Sequence, residues 1–378
     1  MFTQVIDFIK SQYSEREFLS LHEPVFRGNE KKYLEECIDS TYVSSVGPFV
    51  NKFESLLSEK TQSKKAVAVV NGTSALHVAL KVVGVSSGDE VITQALTFVA
   101  TANAISYNNA NPIFIDVDLD TMGLSPTALK SFLEEYGEVR EDGCYNKKTG
   151  RKISACLPMH TFGFPVRIAD IVKICNQYLI PVVEDAAEAL GSYYNDKPLG
   201  SFGEVSGFSF NGNKIVTAGA GGGITTNDEK LGDKAKHITT TAKTPHPYKF
   251  IHDEIGYNYR MPNINAALIC AQLEQLDSFL KNKRELAMRY DEFFTSKGIK
   301  FRKELEGTKA NYWLMCIELD SKKDFERFLT ITNKSGVMTR PIWELMSDLP
   351  MFQTYQTDSL KNSRILKDRI INIPSGVR

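Results

Sequence analysis

A mostly parallel mixed α/β sheet between layers of helices, followed by a smaller C-terminal α+β domain, is the architecture that this sequence predicts. Three observations predict it. From Lys64 onward, short β-branched runs alternate with segments of helical period. The 378 residues leave room for roughly two domains around one large core. The 42% hydrophobic and 24% charged residues suit a globular chain and exclude a disordered or collagen-like one.

The elements follow in order. Residues 1–24 read as an N-terminal helical segment, and residues 25–275 as a large domain. Its strand candidates are KKAVAVV (64–70), EVIT (90–93), PIFIDV (112–117), ISACLPM (153–159), PVVED (181–185), GEVSGFSF (203–210) and GGITT (222–226). Between them Ala75, Ala79, Val82 and Val83 recur at helical spacing, as do Ile168, Ile171, Val172 and Cys175, so each helix can cover the sheet. The polar stretch from Glu134 to Lys152, with Gly137, Gly143 and Gly150, reads as an excursion between helix and strand. Residues 266–295 carry one long amphipathic helical pattern, and short strands such as NYWLMCIEL follow; residues 276–378 form the small domain.

Charge and cysteine usage narrow the function classes. Lys and Arg (45) nearly cancel Asp and Glu (46), so the chain as a whole offers no electrostatic footprint for nucleic acid or an acidic membrane. Any phosphate must be bound locally. The six cysteines lie far apart without metal-ligand spacing, so no metal site is expected, and free thiols in apolar surroundings point to the cytoplasm. Asp7 and Lys10 interrupt what a secretion signal would need as an apolar core. The charge-free stretch from Val91 to Ile115 contains Gln94, Pro112 and several asparagines, and does not read as a membrane span.

Three local features carry chemistry. Asn71-Gly72-Thr73-Ser74 follows a strand and opens a helix, where outward amides and the helix dipole make either an anion cradle or an ordinary capped turn. Val182-Val183-Glu184-Asp185 ends a strand in carboxylates at the ligand-binding edge of an open α/β sheet; Asp185, closest to the strand end, can hold a cationic ring nitrogen or be a solvated loop charge. Lys214 follows Phe208-Ser209-Phe210-Asn211-Gly212-Asn213 and precedes a glycine run, with a hydroxyl five residues before it. The glycines fail the dinucleotide pattern, since Ile224 stands where glycine is needed, and Gly212 defeats an S-x-x-K reading from Ser209. Cradle, carboxylate and lysine are together the parts that hold pyridoxal phosphate: the amine bonds to it and shuttles the proton, the carboxylate keeps the ring nitrogen protonated, and the cradle grips the phosphate.

The segments Asn71 to Leu76, Thr97 to Thr101, Pro158 to Gly163, Glu184 to Glu188, Ser209 to Lys214 and Gly256 to Met261 resemble the nucleotide-sugar aminotransferases of the DegT/DnrJ/EryC1/StrS family, over about residues 25–378. The run from Ser209 to Thr217 and the stretch from Thr239 to Pro262 are similar to its LegC-type branch. The resemblance implies the type I pyridoxal-phosphate fold, a homodimer with shared sites, and transfer of an amino group from L-glutamate to a nucleotide-linked keto sugar. It implies Lys214 as the Schiff-base lysine, Asp185 as partner of the ring nitrogen, Phe98 against the ring face, and Gly72, Thr73, Ser74 and Ser209 around the phosphate. Asn258 would reach the phosphate held by the neighbouring subunit. Glu188 stands where other branches often have histidine or glutamine, beside the ring hydroxyl or the substrate. His160 is read as structural. Tyr42 to Gly47 and Thr339 to Trp343 would flank the sugar nucleotide, with Lys243, His246 and Arg340 as possible partners of its diphosphate. The implied substrate is a UDP-linked 2-acetamido-2,6-dideoxy-4-keto hexose aminated at C4. Alternatives are a 3-keto sugar, a sugar dehydratase, against which Lys214 argues, and a ligand-sensing relative, which would lack catalysis.

Overall fold

The apolar runs between residues 64 and 226 become seven strands of one mixed sheet in the computed structural model, which describes residues 2–13 and 16–378. Met1, Ser14 and Glu15 of the N-terminal segment lie outside the described residues. The strands are β1 (Lys65–Val69), β2 (Glu90–Gln94), β3 (Asn111–Ile115), β4 (Lys152–Leu157), β5 (Val183–Asp185), β6 (Val205–Ser209) and β7 (Gly222–Thr226). Parallel bridges Cys156 to Val182 and Met159 to Asp185 join β4 to β5, giving the order β3-β2-β4-β5-β6-β7-β1. Only β7 runs antiparallel to its neighbours. The strands are buried on both faces, which is why they read as continuous apolar runs rather than alternating ones.

Helices α1 to α8 span Phe2–Ser11, Glu30–Asp39, Pro48–Thr61, Gly72–Val82, Val99–Tyr107, Pro126–Tyr136, Ile168–Gln177 and Glu229–Thr239. One face of the sheet, with Val67, Val69, Val183, Val205 and Ile224, packs under α4 and α8; the alternate residues Ala66 and Ala68 face the core of α3. The polar excursion contains a β-hairpin (Gly137–Arg140 with Gly143–Asn146) that pairs with the first residues of β4.

The single long helix expected over 266–295 is instead two, α9 (Asn263–Leu273) and α10 (Leu276–Ser296). At the break the Gln275 N–H bonds the Gln272 carbonyl at 3.0 Å, a tighter turn than an α-helix makes, and its side chain reaches Glu30 at 2.7 Å. The apolar pattern continues across it because α9 is buried nearly all round while α10 is buried on one stripe.

The remaining residues build an antiparallel sheet from β8 (Lys300–Phe301), β9 (Met315–Glu318), β10 (Arg340–Pro341) and β11 (Ile370–Ile373), in the order β8-β9-β11-β10. Helices α11 (Lys322–Lys334) and α12 (Lys361–Lys367) accompany it. The N-terminal segment joins this part: Phe2 meets Phe328 edge-on at 5.2 Å, and the Leu21 carbonyl accepts from the Ser375 N–H at 2.7 Å. Among the described residues no helix is long and apolar enough to cross a membrane.

Candidate active site

A cavity of about 700 Å³ opens beyond the carboxyl ends of β1, β5 and β6, with β10 and the residues before β9 on its far side. Open α/β sheets receive ligands at this edge. Beyond the end of β1, Asn71 takes an extended backbone and caps α4, its side-chain oxygen accepting from the Ser74 N–H at 2.8 Å. The Gly72 and Thr73 amides are left without helical acceptors at the positive end of the dipole. A Cβ on Gly72 would sit 2.7 Å from the Ser209 Cβ, so only glycine lets the start of α4 touch the end of β6. Gly72, Thr73 and Ser209 line the cavity. Ser74 does not: its amide donates to the Asn71 side chain in the cap and its side chain is buried.

Asp185 ends β5 and is 2% exposed. Its carboxylate accepts from the Thr101 hydroxyl at 2.7 Å and the Ala187 N–H at 3.1 Å. Burial raises its pKa, opposed by those two donors and by the charge of Lys214. Among the described residues it has no ion-pair partner, and a buried carboxylate of this kind, lining a cavity, fits a cationic ring N–H. Glu184 is different. Burial works against its charge, but His160 and the amides of Gly200, Phe202 and Gly203 outweigh it and hold its pKa low. His160 bonds Glu184 through Nε2 at 3.1 Å and accepts the Val166 N–H at Nδ1, so both ring nitrogens are occupied within the chain.

Lys214 sits in the loop after β6. Buried Phe210 anchors that loop against Phe53, and the bonds Phe210 N–H to Gly221 (2.8 Å) and Ala218 N–H to Phe210 (3.0 Å) close it. The lysine Nζ lies 3.2 Å from Glu188 Oε1 and 3.7 Å from the centroid of the Trp313 ring. The other Glu188 oxygen accepts the Phe162 N–H at 2.8 Å. Burial pushes the Glu188 carboxyl up to about 7, against the pull of Lys214 and the Phe162 amide, so it can hold or release a proton beside the amine near neutral pH.

Phe98, at the start of α5, lines the cavity with its ring 6.1 Å from that of Trp343, and Arg340 enters from the same side as Trp343. Lys243 and His246 lie on an exposed hairpin (Lys243–Thr244 with Ile251–His252) and do not line the cavity; nor does the 42–47 loop. Asn258 is exposed and also outside the lining, its side-chain oxygen accepting from Arg260 at 3.1 Å. Sequence reasoning missed Trp313, Phe162 and the part played by Thr101. Trp313 reaches the site from a hundred residues after Asn213, whose carbonyl accepts its indole N–H at 2.6 Å, and no local motif announces such a contact.

Fold and relatives together place the chain in one class, the pyridoxal-phosphate-dependent aminotransferases of the type I fold. A model of the DegT/DnrJ/EryC1/StrS aminotransferase family matches residues 24–378, and the chain belongs to that family. It is 37% identical over 359 residues to GDP-perosamine synthase of Escherichia coli O157:H7, covering 95% of this chain and 93% of the relative. It is 38% identical over 333 residues to a Bacillus subtilis (strain 168) protein named as a pyridoxal phosphate-dependent aminotransferase, EpsN, covering 88% and 83%. Among solved structures, the Helicobacter pylori aminotransferase PseC, involved in the biosynthesis of pseudoaminic acid, superposes with a TM-score of 0.85 at 25% identity, covering 94% of this chain and 93% of that one.

Proposed function

We propose that this aminotransferase moves an amino group from glutamate to C4 of a nucleotide-linked 4-keto hexose, a UDP-linked 2-acetamido-2,6-dideoxy sugar. One observation carries the reading: Lys214, Asp185 and the free amides at the start of α4 open on a single cavity that also takes Arg340 and Trp343. When bound, pyridoxal phosphate supplies the electron sink through which amino groups pass between substrates. The Gly72 and Thr73 amides and the Ser209 hydroxyl would hold its phosphate, Asp185 would accept from its ring N–H, and Phe98 would lie against its face. Lys214 would supply the amine that bonds to it and carries the proton, and Glu188, 3.2 Å away, could take up or release a proton beside that amine. Arg340 suits a diphosphate or carboxylate. Trp343 offers an apolar face to the sugar ring.

The partner is a second copy of this chain. Tyr248, Phe250 and Ile255 are 81%, 82% and 86% exposed on or beside the hairpin that precedes Asn258, an apolar tip that a neighbouring subunit would cover. Six free, buried cysteines fit a cytoplasmic address. A second reading, a GDP-linked sugar, is favoured by the name of the Escherichia coli relative. Incubation with glutamate and UDP- and GDP-linked 4-keto and 3-keto sugars, with products identified by mass and NMR, decides between them. Amination of the UDP-linked 4-keto sugar supports the proposal. Preference for GDP or for the 3-keto isomer overturns that part, and turnover without gain of nitrogen would indicate a dehydratase.

A further inference from the structure

Lys283, on α10, is completely buried, and the active-site chemistry described so far makes no use of it. A lysine is seldom buried without a carboxylate. Here the donors of Nζ go instead to two backbone carbonyls, those of Trp313, at 3.3 Å, and of Ser375. Trp313 is held at every polar point. Its N–H donates to Asn311 Oδ1 at 2.7 Å, its carbonyl accepts from Lys283, and its indole N–H donates to the Asn213 carbonyl at 2.6 Å. Asn311 is itself fixed by the carbonyls of Glu188 and Leu190, at 2.8 and 2.9 Å. Trp313 therefore touches Lys214 at both ends. The indole N–H fixes the peptide that precedes the lysine, and the ring face carries its ammonium at 3.7 Å.

We propose that Lys283 is a positioning residue for Lys214, acting through Trp313: by holding the Trp313 carbonyl it sets the plane of the indole on which the reactive amine rests. Burial pulls the Lys283 pKa well down, and its donors face two neutral carbonyls and no carboxylate, so what the group supplies there is hydrogen bonds. The buried imidazole of His22 lies nearby, and burial lowers its pKa in the same direction. A donor is what the two carbonyls need, and a charge is not. That distinction makes the role testable.

The inference rests on Lys214 being the lysine that bonds to pyridoxal phosphate, so the experiment separates the two claims. Both tryptophans of the chain, Trp313 and Trp343, line the cavity, and Trp343→Phe leaves Trp313 as the sole indole. In that background, cofactor-free protein is mixed with pyridoxal phosphate. The visible band of lysine-bound cofactor is followed in time, and the emission of Trp313 is recorded before mixing. Lys283→Met, which fills the space without a donor, should slow capture about tenfold, the scale of one lost buried hydrogen bond, and shift the Trp313 emission. Lys283→Gln keeps a neutral donor and should restore most of both signals. Trp313→Phe, in protein retaining Trp343, keeps an aromatic face but loses the bond to Asn213, and should also slow capture. Capture at the parent rate with unchanged emission in Lys283→Met overturns the proposal, as does equal slowing by Met and Gln. If Lys283→Met does not fold, capture at the parent rate by Trp313→Phe overturns it. Lys214→Ala is the control: a band of parental rate and size there would refute the role of Lys214 itself.

Discussion

Lys214 has two resting contacts, the Glu188 carboxylate at 3.2 Å and the Trp313 face at 3.7 Å, which hold its amine at the cavity where it would meet the cofactor. Lys214→Ala should abolish turnover and the visible absorbance of lysine-bound cofactor; near-parental activity with that absorbance intact would refute the assignment. Asp185→Asn keeps the volume and loses the charge that a protonated ring nitrogen needs, so the rate should fall on the order of 10²-fold while cofactor affinity changes less. Paired titration and rate measurements check this, and equal large losses would make Asp185 merely structural. Glu188 predicts a pH effect on the cofactor-free protein. Its carboxyl is pushed by burial up to about 7 from the ordinary 4.5, so the native state holds the proton more tightly than the unfolded chain. The associated stability is fully present below pH 4.5 and is lost as pH rises through 7, by at most about 3 kcal/mol. Thermal melts from pH 4.5 to 8 should show this decline in the parent protein and a flatter profile in Glu188→Gln. Lys214→Ala, which removes an opposing cation, should move the decline to higher pH.

At the scale of elements, the turn from β1 into α4 depends on Gly72, because an added Cβ would meet the Ser209 Cβ at 2.7 Å. Gly72→Ala should destabilise the protein by about 1–3 kcal/mol and weaken cofactor binding more than a distant overpacking change of equal cost. Melting temperature and a cofactor titration, read together, test this; unchanged affinity would mean that the α4 start is no cradle. Much of the sheet was legible, since strands buried on both faces leave apolar runs, and all seven predicted runs overlap the observed strands. The break between α9 and α10 was not, because apolar period carries across a single tight turn at Gln275 when the contacts that make it, to Gln272 and Glu30, are polar and partly distant. That Asp185 and Lys214 share one cavity was legible because Asp185 ends a strand and Lys214 follows one in the loop beyond it, each within its own motif. The place of Ser74 beside the cavity and not in its lining has a local reason: its amide belongs to the Asn71 cap. Trp313 was hidden for a non-local one, being defined by Lys283, Asn311 and Asn213, three partners far apart in the chain.

At the scale of the molecule, the proposed pairing of two chains makes a prediction for Asn258. The segment from Gly256 to Met261 runs beside the end of β1, where the Val70 N–H bonds the Tyr259 carbonyl at 2.8 Å, yet Asn258 stays outside the cavity of its own chain. If it serves the phosphate in a neighbouring subunit, Asn258→Asp places a carboxylate against that phosphate, and like charges at contact distance in a partly buried site repel strongly. Each parent variant should then be inactive alone, Lys214→Ala for want of the amine and Asn258→Asp for want of a tolerant phosphate site. Mixed after subunit exchange, they should regain activity. A dimer with one chain of each kind holds one site in which the native Lys214 meets the native Asn258, and a second site in which both are altered. With equal mixing, half the dimers are mixed and half of their sites are whole, so activity should return to roughly a quarter of the parent value. Native mass spectrometry confirms that mixed dimers have formed. Their inactivity would confine Asn258 to its own chain, whereas recovery near a quarter requires that each cofactor site be built by two chains.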